Sequence, residues 1–390
     1  MDASTWAAQT IGLDILNEIM VTQKTIIVIG TEPWLSPLLS KHHVVLELCK
    51  RHRVIYIDPV FHMGNLLRLH MPDTGYKLSY HQQKPANLVV LKPWWLPKTQ
   101  ASRILNKVSE SYFVAQLRRR IETPNVIISF NPNYAFLTKY FCCPFIYYCV
   151  DTHQDRSKEP DSIACAATVI AATKKLYDEF ALHAQCVRHL PHGVDLLSLR
   201  DSAKFIPEDI KGIPRPIAGF IGAVNDHLDI PLLEYLANMM GELSIVLVGP
   251  YEKSDFGGGL SAEKLTRLQQ FSNIYLSGPK PSGQLGAYIN QFDVGLIPYD
   301  LNHFRIHFSY HKVLQYLALG KPVVTTVNSA DGKLPPSTWL GETPITFARA
   351  VVKSLVEHSP TDMSIAQKFA DEHSWERRVE QLEEWIDRIN

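Results

Sequence analysis

DVGLIPYDLNHFRIHFSYHKVLQYLALGKPVVTT, residues 293–326, holds two short and nearly continuous apolar runs, at 294–297 and 322–324. Runs of that length without alternation are the pattern of strands covered on both faces, as in a parallel sheet. Between them, residues 311–319 place Val313, Leu314, Leu317 and Ala318 on one broad face, and Gly320 stands where a helix stops in a left-handed turn. The order is therefore strand, loop, helix, strand. In an open α/β sheet the loop leaving a strand's carboxyl end borders the ligand crevice, and the helix behind it turns free N–H groups toward it. Arg305, His307, Ser309, Tyr310, His311 and Lys312 bring donors to that place, with Gln315 one turn beyond Lys312 on the same side. A phosphate-bearing ligand suits such a set.

The same alternation extends outward in both directions. Before this stretch, strand patterns at 216–221, 244–248 and 273–276 are separated by helical patterns at 232–240, 262–271 and 283–291. The first half repeats the scheme, with strands at 25–29, 54–57, 88–91, 126–130, 145–150 and 168–171 and helices at 37–50, 102–121 and 174–183. An α/β chain of two doubly wound, Rossmann-like domains is expected. Pro207, Gly212, Pro214 and Pro216 punctuate the stretch between them. This gives an N-terminal extension (1–23), a first domain (24–200), a linker (201–215), a second domain (216–360) and a terminal segment (361–390). In that last segment Ile365, Phe369, Trp375, Val379, Leu382, Trp385, Ile386 and Ile389 recur at roughly helical spacing and need a surface to cover.

With 390 residues, 46% of them hydrophobic, the chain has enough apolar material for two cores. Lys+Arg and Asp+Glu balance at 39 each, which does not indicate a broad nucleic-acid-binding face. The six cysteines lack the paired spacing of a zinc site and read as reduced thiols of a cytosolic protein. Residues 1–20 carry Asp2, Asp14 and Glu18 and no basic leader, and no apolar run approaches the roughly 20 residues needed to span a bilayer. A soluble or peripheral protein is expected. Gly30-Thr31-Glu32-Pro33 after the first strand is not a G-x-G-x-x-G loop, and no G-x-x-x-x-G-K-[ST] loop occurs, so neither a dehydrogenase nor a P-loop enzyme is indicated. Gly222 and Gly249, each following a strand of the second domain, allow backbone to approach a ligand.

Two domains of this kind, the linker, the terminal helix and VLQYLALGKPVV (313–324) resemble the GT-B glycosyltransferases. The resemblance implies a nucleotide-sugar in the C-terminal domain, an acceptor in the N-terminal domain, and a terminal helix crossing back to the latter. NIYLSGPKPSGQLGAYINQFDVGLIPY (273–299) followed by HKVLQYLALGKPVV is similar to xanthan-type β-glucuronosyltransferases and to bacterial exopolysaccharide and teichuronic-acid transferases. In those enzymes the lysine and glutamine of K-x-x-Q and the tyrosine of P-Y contact UDP, which implies Lys312, Gln315 and Tyr299 here. It also implies that Gly278-Pro279-Lys280 holds the base and that His192 of the H-G-V-D run reaches the donor's phosphates or sugar, while Gly222 is expected at the nucleotide from its strand-end position alone. Their catalytic aspartate follows the strand matching 145–150, where Asp151 stands with Thr152 in place of a glycine. The E-x7-E pair of the retaining GT-B enzymes is absent, its positions being His307 and Gln315.

The residues support this independently. A departing diphosphate gains negative charge, which a fixed ammonium such as Lys312 stabilises without a metal. The amide of Gln315 both donates to and accepts from ribose hydroxyls, while Ser309, Tyr310 and His311 add donors beside Lys312. Asp151, with His153 close behind it, brings a candidate general base to the crevice edge, although an aspartate there also caps a turn. His42 and His43, in Ser40-Lys41-His42-His43, and His153 are candidates for acceptor contact. Lys92, Trp94, Trp95, Lys98, Arg103, Lys107 and Arg118, Arg119 and Arg120 suit an anionic interface.

The expectation is a cytoplasmic enzyme, peripheral at the inner face of the membrane. It would move a sugar from a UDP-sugar to a glycan or polyprenyl-diphosphate-linked acceptor in cell-surface polysaccharide assembly. Inversion, without metal or cofactor, is expected. The alternatives are a retaining enzyme using a GDP- or UDP-sugar and a non-catalytic nucleotide-sugar-binding module.

Overall fold

The computed structural model describes residues 23–34, 38–59, 84–93, 103–121, 123–151, 155–252, 259–302, 311–328 and 333–389. The apolar runs form strands buried along nearly their whole length. In the first half the order is β1 (Thr25–Ile29), α1 (Ser40–Leu48), β2 (Arg53–Ile57), β3 (Leu88–Leu91), α2 (Arg103–Arg118) and β4 (Val126–Ser129). A 3-10 segment (Pro132–Lys139) leads to β5 (Phe145–Cys149), α3 (Glu159–Cys165), β6 (Thr168–Ala171), α4 (Lys174–Phe180) and β7 (Val187–His189). The strands make one parallel sheet in the order β3-β2-β1-β4-β5-β6-β7.

The chain then passes through α5 (Leu196–Ser202) to β8 (Ile217–Ile221), α6 (Ile230–Met239), β9 (Ser244–Val248), α7 (Ala262–Gln269), β10 (Ile274–Gly278), α8 (Leu285–Gln291) and β11 (Val294–Ile297). It ends with α9 (His311–Leu317), β12 (Val323–Thr325), β13 (Thr338–Leu340), α10 (Pro344–Glu357), α11 (Pro360–Glu372) and α12 (Trp375–Ile389). The second sheet is also parallel, in the order β10-β9-β8-β11-β12-β13. Each sheet therefore has a point where the strand order reverses, between β1 and β4 and between β8 and β11. Such a point opens a crevice at the strands' carboxyl ends.

Each sheet is covered on both faces. One face of the first packs under α2 through Phe113, Val114 and Leu117, and the other takes Val44, Val45 and Leu48 of α1. That second face also takes Trp375, Val379, Leu382 and Ile386, all at most 2% exposed, so α12 does return to the N-terminal sheet. The terminal segment thus divides by destination, because Ala366 and Ala370 of α11 pack with the second sheet instead.

Where the chain leaves the first sheet and where it comes back, the two crossings pair. The Val194 N–H donates to the His373 carbonyl at 3.1 Å and the Trp375 N–H to the Val194 carbonyl at 3.1 Å. Gly193 is required there, since a Cβ would sit 2.8 Å from the Trp375 backbone. Five elements had no sequence-based expectation: α3, β7, α5, β13 and α10. β7 is three residues with a polar outer half, and β13 is equally short and half-buried. Among the described residues no helix is long and apolar enough to cross a membrane.

Candidate active site

The strand-order reversal of the second sheet places the ends of β8 and β11 side by side. β8 runs straight into Gly222, whose φ of +128° disfavours any side chain and whose missing Cβ would lie 2.7 Å from Lys312 Cε and Nζ. Lys312, in the first turn of α9, therefore lies flat over backbone. Its ammonium is 5.7 Å from the Phe220 ring centre and 5.9 Å from that of Tyr299, near the outer range of cation–π attraction. No carboxylate partners it among the described residues. Tyr299 is held by its own backbone, which accepts a 2.7 Å hydrogen bond from Thr326 Oγ1.

Gly222, Lys312, His311 and Gln315 line one side of a 360 Å³ cavity between the two sheets, floored by Pro281, Ser282 and Gly283. Leu38 and His43 from the N-terminal side close it, and Asp195 and Ser198 at the start of α5 complete the rim. Asp195 accepts from the Ser198 N–H at 3.1 Å and so caps α5, while its other oxygen lies 4.0 Å from His43 Nδ1. His43 stacks on Trp375 with ring centres 5.5 Å apart and planes 6° from parallel. His192 and His311 meet across the crevice, edge to face at 6.2 Å, and His192 Nδ1 is 2.5 Å from Ser40 Oγ.

Burial keeps these imidazoles neutral. It pushes His192 down to about 4, opposed by Asp151 and the Val150 carbonyl, and it lowers His43, opposed by Asp195. His311 falls to about 3, first through burial and then through His192, Lys312 and His43. The cavity thus presents one fixed positive charge, Lys312, among neutral imidazoles, with the Asp195 carboxylate on its rim. Among the described residues no group of three or more His, Cys, Asp or Glu is disposed to hold a metal ion.

The other sequence-expected residues fall in different places. Asp151 follows β5, exposed, close enough to His192 to favour its protonated form, and does not form the cavity wall. Gly278, at φ +70°, ends β10 beside the cavity floor. The next lysine is already engaged: Lys280 Nζ donates to Asp209 Oδ2 at 2.7 Å, and the Tyr288 hydroxyl donates to the same carboxylate at 2.7 Å. Pro279 between them is exposed.

His42 is wholly buried, its Nδ1 accepting from the Leu39 N–H at 3.0 Å and its ring packed on Trp34 and Tyr56. Ser309, Tyr310 and His153 lie outside the described residues. Pro281, Ser282, Gly283, Leu38 and Ser198 had no sequence signal as cavity residues. Only Asp195, three residues before Ser198, carried a capping pattern that fixes the rim.

No known family profile matches the chain. Over 201 residues it is 26% identical to "Putative teichuronic acid biosynthesis glycosyltransferase TuaH" of Bacillus subtilis (strain 168), a match covering 50% of this chain and 48% of that protein. The chain therefore spans about half the length of that relative. Solved structures match over nearly everything. Sucrose-phosphate synthase from Thermosynechococcus elongatus superposes with a TM-score of 0.65 at 14% identity, covering 94% of this chain and 99% of that one. HepE of Anabaena in complex with UDP and glucose gives 0.62 at 14% identity, over 94% and 100%. A trehalose-6-phosphate protein from E. coli, bound with UDP-2-fluoro glucose, gives 0.65 at 9% identity, over 93% and 98%. Two facing parallel sheets, a cavity at their reversal points and a terminal helix returning to the first sheet give this chain the GT-B glycosyltransferase fold.

Proposed function

We propose that the protein transfers a sugar from a UDP-sugar to a glycan or lipid-linked acceptor in cell-surface polysaccharide assembly. The observation that carries this reading is Lys312, an ammonium without a carboxylate partner among the described residues, laid over Gly222 in the cavity between the sheets. A diphosphate supplies the missing counter-charge, and the same contact strengthens as the sugar bond breaks and charge builds on the leaving group. Gln315, one turn on, meets the ribose hydroxyls, and the loop from Gly278 to Gly283 takes the base. Neutral His192 and His311 donate hydrogen bonds without competing for the charge. The UDP complex of HepE and the name of the Bacillus subtilis relative agree with this assignment.

On the N-terminal side, Asp151 is proposed as the general base for the acceptor hydroxyl and His43 as an acceptor contact. A single displacement needs its base across the crevice from the leaving group, and what supports Asp151 is that it leaves the first sheet at its carboxyl edge beside His192. The reaction would then invert the anomeric centre. Calorimetry with UDP, GDP and ADP tests the donor: UDP should bind most tightly, and equal or tighter binding of GDP overturns the uridine assignment. NMR of the product tests the stereochemistry, since retention of the donor's anomeric configuration sinks the single-displacement scheme.

A further inference from the structure

α3 opens on a carboxylate that has almost no contact with water. Glu159, its first residue, is 3% exposed, and both of its oxygens are engaged. Oε1 accepts from the Tyr147 hydroxyl at 2.7 Å, and Oε2 accepts from Arg156 Nε at 2.5 Å. Arg156 reaches on to Glu179 of α4 at 2.5 Å, and Ser162 Oγ, further along α3, donates to the Pro132 carbonyl at 2.7 Å. The helix and the arm of chain leading into it are thereby fastened to their neighbours.

The same carboxylate meets the strand that carries Asp151. Tyr147 and Cys149 stand two apart on β5 and so point to one face. Cys149 Sγ lies 3.9 Å from Glu159 Oε1 and 3.1 Å from the Asp151 carbonyl. A thiol has a single hydrogen, and the shorter contact takes it. Burial pushes this thiol up to about 12, so the hydrogen stays on the sulfur near neutral pH. Holding a carbonyl holds its whole peptide plane, and with it the direction in which the chain leaves Asp151. The chain is thus gripped on both sides of Asp151, before it by Tyr147 and Cys149 and after it by Arg156 and Glu159.

A buried ion pair adds little net stability, because desolvation offsets its attraction, and apolar side chains fill such a volume equally well. What this network adds is one orientation of the turn. We propose that Glu159 is a positioning residue, which acts through Tyr147, Arg156 and the Cys149 thiol to fix the turn that sets Asp151 at the crevice edge. The grip stands on geometry alone, whereas its bearing on turnover rests on the reading of Asp151 as the base. A base works within about 3 Å of its hydroxyl, and a misplacement of about 1 Å costs about 10²-fold in rate.

The test compares Cys149→Ala, Cys149→Ser, Glu159→Gln and Asp151→Asn in the full chain. Hydrogen–deuterium exchange is read over the turn that follows β5. UDP release is read from UDP-glucose, UDP-galactose, UDP-N-acetylglucosamine and UDP-glucuronate, with water as the acceptor. C149A removes the thiol hydrogen; it should speed exchange in that turn and lower kcat by about 10–10²-fold, with KM and UDP affinity unchanged. C149S keeps a donor and should recover most of the loss, a rescue that loosened packing alone does not give. E159Q, which gives up the charge that holds Arg156, should act in the direction of C149A. Added to D151N, C149A should cost nothing further, because a displaced base and a missing base are the same defect. Exchange and kcat that C149A leaves unchanged overturn the proposal. So does a C149S variant no better than C149A, or a loss that falls on KM and UDP affinity instead of kcat. If D151N releases UDP as fast as the parent while C149A still loosens the turn, the base reading falls and the grip on the turn stands.

Discussion

Lys312 and Asp151 belong to different sheets, and their substitution should separate binding from chemistry. Lys312→Ala removes one charge-assisted contact from the proposed diphosphate, so UDP should bind about 1.5–3 kcal/mol more weakly by calorimetry. The thermal midpoint should stay put, because the ammonium's ring contacts are long and no ion pair is lost. Unchanged UDP affinity would remove Lys312 from the site. Asp151→Asn should do the reverse. Turnover falls by about 10²–10⁴ while UDP binds nearly as before, and wild-type turnover in that variant would strip Asp151 of its role as base. The place of each in the fold was legible in the sequence, because Asp151 follows a buried strand and Lys312 lies in the first turn of the helix after one. Lys280 was not, since its partner Asp209 lies 71 positions away. For His42, the rings that enclose it, Trp34 and Tyr56, come from separate segments of chain.

At the scale of elements, α12 completes one face of the N-terminal sheet. Leu382 is fully buried against Ile26, Val28, Val44 and Val45 and their neighbours, so Leu382→Ala should destabilise by about 2–5 kcal/mol in urea unfolding. A change below 1 kcal/mol would mean that the helix is not part of that core. The strands were readable for one physical reason: residues 294–297 and 323–325 are buried on both faces and so carry no polar alternation. α12 was readable from its spacing, although its destination was implied only by resemblance. β7 was not, because Arg188 and His189 are exposed at the sheet's edge and nothing in three residues distinguishes that from a loop. The cavity walls were harder still. Leu38, Ser198 and Pro281 to Gly283 come from three separate elements, and only the topology brings them together.

For the whole molecule, the neutral histidines make stability depend on pH. In the unfolded chain each has the ordinary histidine value near 6.5, whereas folding lowers His42 and His192 to about 4 and His311 to about 3. Between those values the unfolded chain holds more protons, so stability must fall as the pH is lowered from about 6.5 toward 4. Thermal unfolding across that range should show the midpoint dropping, with a smaller drop in His311→Asn. A flat profile would mean that the imidazoles are already protonated or solvated when folded.

The paired crossings at Val194 and His373–Trp375 bear on the order in which the protein can be made. The whole second sheet, from β8 through α11, is an uninterrupted stretch of chain placed between β7 and the helix that finishes the first core. On the ribosome the C-terminal domain can therefore complete itself while the domain begun earlier still lacks a wall, its apolar face around Ile26, Val44 and Ile146 awaiting residues 375–386. A nascent chain halted before Trp375 would hold one finished domain and one open one. The first to start is the last to close.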